Sequence, residues 1–201
     1  MIPIATLLER GGSYKEFQEG ERIFQTGMQA HFYYQLISGR VRWCNVLDNG
    51  NEVLHNMVIP GECFGELPLF DNEPYAATAV ADSTTLVIRL SAEAFQETLR
   101  LEPDIHFKFT RHITKKLRFK FFLTELLAKN DTADAITRLF TYFNNHEQFI
   151  CTDCRRLLLT RQELANMLGL RVETVIRVIR QMEKNDRLDI VKGKVFLPEP
   201  V

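Results

Sequence analysis

The sequence predicts an α+β chain: a small antiparallel β-barrel or jelly roll, then one long helix, then a winged helix-turn-helix. Three observations predict it. Residues up to about Ala92 carry short β-branched and aromatic runs broken by Gly-bearing turns. Residues 104–129 carry apolar side chains near heptad spacing. Thr160 to Lys184 carries two helical periods separated by Gly169. The expected organisation is a barrel over 1–103, a linking helix over 104–130 and a winged helix-turn-helix over 131–201.

The strand runs are Phe32–Ile37, Val41–Val46, Val53–Ile59 and Thr84–Leu90, with turns at Glu19-Gly20, Thr26-Gly27, Ser38-Gly39, Asn49-Gly50 and Pro60-Gly61. Asp48-Asn49-Gly50-Asn51 between two runs is a hairpin signal. Ser91 is the N-cap of a short helix that ends before Pro103. Along the next, long helix Phe109, Ile113, Leu117, Thr124 and Leu127 form an apolar stripe, read as a dimerisation face. Asn130-Asp131-Thr132 breaks the chain, and Ala133–Asn145 is a further helix. Phe149–Leu159 reads as a hairpin, and Leu188–Val191 with Val195–Leu197 as a second one, the wing, whose tip holds Lys192 and Lys194.

The 201 residues are long enough for a real core, and no apolar run reaches membrane-spanning length. Four unevenly spaced cysteines and the lack of a signal-peptide layout point to a reducing, cytoplasmic setting without membrane contact. The net charge of −1 conceals an asymmetry. Met1 to Asp104 has fifteen Asp/Glu against seven Lys/Arg, whereas Ile105 to Asn130 has one against seven and Arg155 to Lys184 three against seven. An acidic half before a basic helix and a basic C-terminal unit fits nucleic-acid contact at one end only.

Thr160 and Glu163 form a capping box, flanked by Leu159 and Leu164 as a hydrophobic staple. Ala165 lets two helices approach, Gly169 turns the chain at positive φ, and Val175 plugs the interface. Val175, Val178, Ile179 and Met182 share one face of the second helix, and Glu173, Arg177, Arg180 and Lys184 the other. In such a motif the second helix enters the major groove. Its leading residues here are Val172, Glu173, Thr174, Ile176 and Arg177. Glu accepts from cytosine N4, Arg donates to guanine O6 and N7, and Val or Ile packs on a thymine methyl. Arg171 stands where an N-cap belongs and is a poor cap, which suits a phosphate contact. Gln162 and Arg180 complete the expected DNA-facing set.

The whole chain resembles the family of the cyclic-AMP receptor protein and the fumarate–nitrate reduction regulator (CRP/FNR). The resemblance runs through F-G-E-L-P-L-F (Phe64 to Phe70), A-T-A-V-A (Ala77 to Ala81), T-R-Q-E-L and V-E-T-V-I-R. It implies a cyclic-nucleotide-binding-like barrel, a dimerising long helix, palindromic double-stranded operators and RNA polymerase as a further partner. Its effector-pocket positions fall on Gly65, Glu66, Leu67, Tyr75, Ala76, Lys120 and Phe121. Tyr75-Ala76 stand where cyclic-nucleotide binders hold the phosphate with Arg-Ser or Arg-Thr, and Lys120-Phe121 where they offer Thr-Ser to the purine. An anionic phosphate needs charge-assisted donors, so no productive cyclic-AMP binding is expected, and Glu66 is read as a structural loop residue. Val172-Glu173-Thr174 followed by Arg177 resembles the oxygen-sensing branch, which implies a half-site like TTG followed by A or C. Arg161 resembles a phosphate-contacting position.

That branch's N-terminal cysteine cluster is missing, and an iron–sulfur centre needs four thiolates. Cys44 and Cys63 read as small core residues. Cys151-x-x-Cys154 offers two ligands where structural zinc wants four, so a reversible thiol pair is the better reading. His31, His55, His106 and His112 share no metal-ligand spacing, and His106 and His112 read as solvated. No metal and no cofactor is therefore expected. An enzyme of the cupin type would need a His-x-His with a nearby Glu, which is absent. A cyclic-nucleotide-responsive subunit of an enzyme or channel would keep the phosphate Arg and lack the helix-turn-helix. The expected function is a homodimeric, sequence-specific DNA-binding regulator unresponsive to cyclic AMP. A regulator responsive to a cyclic nucleotide or another small ligand, or to thiol oxidation at Cys151 and Cys154, remains as the alternative.

Overall fold

A computed structural model describes residues 1–128 and 131–199. They fall into two compact units, Met1–Leu117 and Arg118–Val201. The long helix α4 (Pro103–Ala128) runs from the first into the second. The helix end expected at Lys129 and the break expected at Asn130 lie outside the described residues.

Eight strands make the first unit: β1 (Ser13–Phe17), β2 (Arg22–Phe24), β3 (Phe32–Ser38), β4 (Val41–Val46), β5 (Glu52–Val58), β6 (Cys63–Phe64), β7 (Thr78–Ala81) and β8 (Thr85–Ser91). All pairings are antiparallel, β1 with β8, β2 with β7, β3 with β6 and β4 with β5. That nesting is what a long hairpin produces when it rolls up on itself. Cross-links β3–β8 and β4–β7 then give two four-stranded sheets, β1-β8-β3-β6 and β2-β7-β4-β5. The expected barrel is thus an open jelly roll of two sheets. Alternation along β7 puts Ala79 and Ala81 in the core between the sheets, whereas β8 is buried on both faces, with Val87 in that core and Ile88 and Leu90 in a second one.

The strand-like reading of everything before Ala92 misses two helices, α1 (Ile4–Glu9) and α2 (Pro68–Asp71). α1 buries Leu7 in a core with Ile2, Tyr33, Phe95 and Leu99. Pro68 at the start of α2 fits a first turn, where its missing N–H costs nothing. The helix α3 (Ala92–Leu101) has the expected cap: the Ser91 hydroxyl accepts from the Ala94 N–H at 3.2 Å.

A second correction concerns α4. Phe109, expected on the dimer face, is fully buried against Tyr33 and Phe95. Periodicity reports that a stripe is apolar but not what it packs on, and here the jelly roll's own core takes its first turns.

In the second unit, Phe119, Leu123 and Leu126 of α4 are buried, and Phe119 packs on Phe143 of α5 (Thr132–His146). Asp131 caps α5 by accepting from the N–H groups of Ala133 and Asp134. The hairpin expected over Phe149–Leu159 shrinks to one bridge, Ile150 to Leu157. Phe149 and Arg155 take positive φ, and the Leu157 N–H donates to Val195 instead of across the turn. The segment thereby joins the wing, β9 (Asp189–Val191) and β10 (Lys194–Phe196). Lys192 and Gly193, both at positive φ, make the two-residue turn that matches strand twist. Among the described residues, no helix is long and apolar enough to cross a membrane.

Candidate functional site

The helix-turn-helix is α6 (Arg161–Leu168) and α7 (Val172–Lys184). The Glu163 N–H donates to the Thr160 hydroxyl at 3.1 Å, and the Thr160 N–H donates to the Glu163 carboxylate at 2.6 Å. Both halves of the predicted capping box are therefore formed. Gly169 takes φ 61°, and its N–H and that of Leu170 reach back to the Ala165 carbonyl. Ala165 and Val175 are both fully buried, as a close helix crossing requires.

On α7 the two faces separate cleanly. Val175, Val178, Ile179 and Met182 are buried, whereas Glu173, Arg177, Arg180 and Lys184 are exposed. Val172, Thr174 and Ile176 are half-buried at the edge of that exposed face. Among the described residues, Glu173, Arg177 and Arg180 make no ion pair, so their charges stand open to a ligand. Arg171 is exposed at extended φ and makes no side-chain cap bond, leaving the first turn of α7 without one. Gln162 donates to Asn166 one turn along α6. Arg161 does something the sequence does not reveal: its guanidinium donates to the Gly193 carbonyl and ties the wing turn to the start of α6.

The region after β6 is built quite differently. Phe64-Gly65-Glu66-Leu67 leads into α2, and Tyr75 precedes β7. Tyr75 is buried and lies parallel to Phe24, with ring centroids 3.8 Å apart. Tyr34 and Phe64 continue the stack, and Trp43 belongs to the same core. A Cβ on Gly65 would sit 2.7 Å from the Phe24 ring, so only glycine lets the loop lie this close. Burial, then the neighbouring Tyr34, push the Tyr75 phenol above its usual range, so it is neutral at physiological pH. Ala76 is exposed and offers only its carbonyl, which accepts from the Asn45 side chain.

Glu66 is wholly buried, and its Oε1 accepts from the Lys116 ammonium at 2.7 Å. That ammonium also donates to the Cys63 carbonyl and sits over the Trp43 ring. Burial pulls the Lys116 pKa down, but Glu66, Cys63 and Glu62 outweigh it, and the net direction is upward. The carboxylate thus has a resident cation from α4. Lys120 and Phe121 belong to the second unit, where Lys120 is half-buried and Phe121 is 67% exposed.

Two family profiles match the chain: "Cyclic nucleotide-binding domain" over residues 14–101 and "Crp-like helix-turn-helix domain" over residues 133–200. The transcriptional activator protein FnrA of Stutzerimonas stutzeri is 30% identical over 199 residues, covering 96% of this chain and 78% of that protein. The chain belongs to the CRP/FNR family of transcription regulators. The cAMP-activated global transcriptional regulator CRP of Haemophilus influenzae is 28% identical over 80% of this chain and 73% of its own length. The solved structure of FixK2 from Bradyrhizobium japonicum shares the fold, with TM-score 0.77 and 21% identity over 94% of this chain and 93% of that one. Members of this family are regulators of transcription and not enzymes.

Two further groups were placed by the sequence and are now located. Cys151 is half-buried and Cys154 exposed, in the turn between α5 and α6. N–H groups of Cys154 and Asp153, together with the Cys154 thiol, hold the Cys151 thiol below its ordinary pKa. His106 is exposed, as expected. His112 is not solvated: its Nε2 is buried without a hydrogen-bond partner. Burial, then the nearby Lys116, lower its pKa to about 4. The expectation failed because a basic helix looks uniformly wet in sequence, and the face that packs on the jelly roll cannot be read from charge.

Proposed function

We propose that this regulator binds palindromic operators as a homodimer, acts with RNA polymerase in the cytoplasm and does not respond to cyclic AMP. The observation that carries the reading is α7: one face fully packed, the other presenting Glu173, Arg177 and Arg180 without ion-pair partners among the described residues. Glu173 and Arg177 lie four apart, one above the other on the helix, and suit readout of neighbouring bases. Val172, Thr174 and Ile176 flank them for thymine methyls, and Arg161, Gln162, Arg171 and Arg180 serve phosphates. The half-site expected is TTG followed by A or C. Leu117, Phe121 and Leu127 are each more than half exposed along α4, with Ile113 half-buried and Thr124 exposed beside them. A second copy of α4 is the occupant that would cover such a stripe.

The lack of cyclic-AMP response follows from Tyr75. A cyclic phosphate must exchange water for cationic donors, and a neutral phenol stacked on Phe24 supplies none. In vitro selection of bound DNA, with a melting series against cyclic AMP, tests both parts. A palindromic logo is expected, with no melting shift at ligand concentrations that saturate cyclic-AMP-responsive relatives. A flat logo would remove the first part. A saturable melting shift would remove the second, because a ligand that binds the native state stabilises it.

A second reading has its own support. The depressed Cys151 thiol beside Cys154 fits a reversible disulfide that alters the turn preceding α6. Repeating the selection with reduced and with oxidised protein decides it: equal affinity in both states rejects the thiol switch.

A further inference from the structure

One cluster in the first unit is used by neither DNA reading nor dimerisation. Cys63 on β6, Glu66 just after it and His112 on α4 converge, and one ligand atom from each lies within 4.8 Å of the others. Cys63 and Glu66 are fully buried and His112 is half-buried. Two atoms of the trio lack any hydrogen-bond partner: Glu66 Oε2 and His112 Nε2. Such orphans are costly, about 1–3 kcal/mol for a polar atom and more for a charged one, so two of them on residues of one tight cluster are a signal.

We propose that Cys63, Glu66 and His112 bind a divalent transition-metal ion of the zinc class, leaving one coordination position open. Thiolate, carboxylate and imidazole are all zinc ligands, with bonds of about 2.0–2.3 Å. Ligand atoms around a tetrahedral ion of that size stand about 3.2–3.8 Å apart, so the widest separation closes by at most about 1–1.6 Å. Glu66 needs no rearrangement of its ion pair, because Oε1 keeps Lys116 and Oε2 is the free oxygen. A neutral imidazole and a thiolate are the ligating forms, so binding of the ion would release the Cys63 proton.

Charge also favours the ion. Cys63 as thiolate, Glu66 and the nearby Glu62 carry three negative charges, and Lys116 with a divalent cation carries three positive ones. Three protein ligands leave a fourth position for water or a small exogenous ligand, the arrangement of an open rather than a closed zinc site. The ion would join β6 and the Glu66 loop to α4 through His112, one turn before Lys116 on the same helix face. Occupancy would therefore be felt by the helix that continues into the second unit.

The test uses the full chain, stripped with a chelator and kept reduced, titrated with Co²⁺. One equivalent should bring up a thiolate-to-cobalt charge-transfer band in the near ultraviolet, and one equivalent of Zn²⁺ should abolish it. The band should survive in the double variant C151S/C154S and vanish in C63S. H112Q should weaken Co²⁺ binding by at least the ~10–100-fold that loss of outer-shell partners alone causes. If C63S does not fold, H112Q decides the matter, checked by its unchanged far-ultraviolet dichroism. No band in the stripped protein, a band lost only in C151S/C154S, or undiminished affinity in H112Q would each overturn the site.

Discussion

The jelly roll's cassette and the helix-turn-helix treat their polar groups differently. In the helix-turn-helix the capping box is closed and the core face is packed, while Glu173, Arg177 and Arg180 on α7 have no ion-pair partner among the described residues. In the cassette most groups are engaged by the protein itself. Tyr75 stacks on Phe24, Gly65 presses against the same ring, and Lys116 holds one oxygen of Glu66. A surface meant for a ligand keeps unsatisfied groups exposed to water, where they cost little. A pocket that loses its ligand must satisfy its groups internally, because a buried orphan is expensive. The exposed face and the filled cassette are two outcomes of the same rule.

The sharpest way to break this comparison is to unfill the cassette. Lys116→Met removes the cation from a wholly buried carboxylate, and breaking a buried pair costs about 3–5 kcal/mol; partial exposure of Lys116 places this case near 3. The loss should be read as a lower urea midpoint. It should be much smaller in the double variant E66Q/K116M, where no charge is stranded. Equal losses in the single and double variants would show that packing, not charge, holds the loop.

Tyr75→Ala should cost a similar or slightly smaller amount, about 3 kcal/mol, through the cavity left against Phe24 and Tyr34. It should still not confer binding of cyclic AMP, because the hole lacks a cation. A calorimetric signal with cyclic AMP in this variant would show that bulk alone, and not missing charge, closes the pocket.

How much of this was legible in the sequence depends on distance along the chain. Thr160 with Glu163, Gly169, Ser91 and the Asn49-Gly50 hairpin are local rules, and each is present as read. An antiparallel barrel or jelly roll could be expected, but its division into two four-stranded sheets depends on pairings such as β1 with β8, some 70 residues apart. Apart from the short helices α1 and α2 and the curtailed hairpin after α5, the losses were tertiary. Phe109 obeys the heptad stripe yet packs inward, because helical periodicity gives a face and not its partner. Lys116 meets Glu66 from fifty residues away, and His112 meets Cys63 by the same fold, so neither pairing leaves a spacing to find. The bond from Arg161 to the Gly193 carbonyl likewise left no trace in the sequence, because it needs the wing to be in place.

On the open side of the comparison the effects are smaller and fall on recognition instead of stability. Arg177→Ala should leave the melting temperature unchanged, since the side chain is exposed and makes no ion pair among the described residues. It should cost about 1–3 kcal/mol of discrimination at a single base pair of the operator, seen as one flattened column in the selected sequences. An unchanged logo would remove Arg177 from the readout.

Arg171 lets the two kinds of region be set against each other in one residue. It occupies the N-cap of α7 at extended φ and contributes no side-chain bond to the first turn. A serine there accepts from an N–H of that turn and should stabilise the protein by about 1 kcal/mol. Local preference and function then pull in opposite directions. If Arg171 meets a phosphate, Arg171→Ser should raise the melting temperature and weaken operator binding together. The salt dependence of binding by the dimer should become shallower by about two units in log–log slope, the signature of one lost phosphate contact in each half-site. A gain in stability with an unchanged slope would mean that the poor cap serves nothing at the DNA. In that case the exposed face of α7 would begin its work at Glu173, and the first turn would be unoptimised surface.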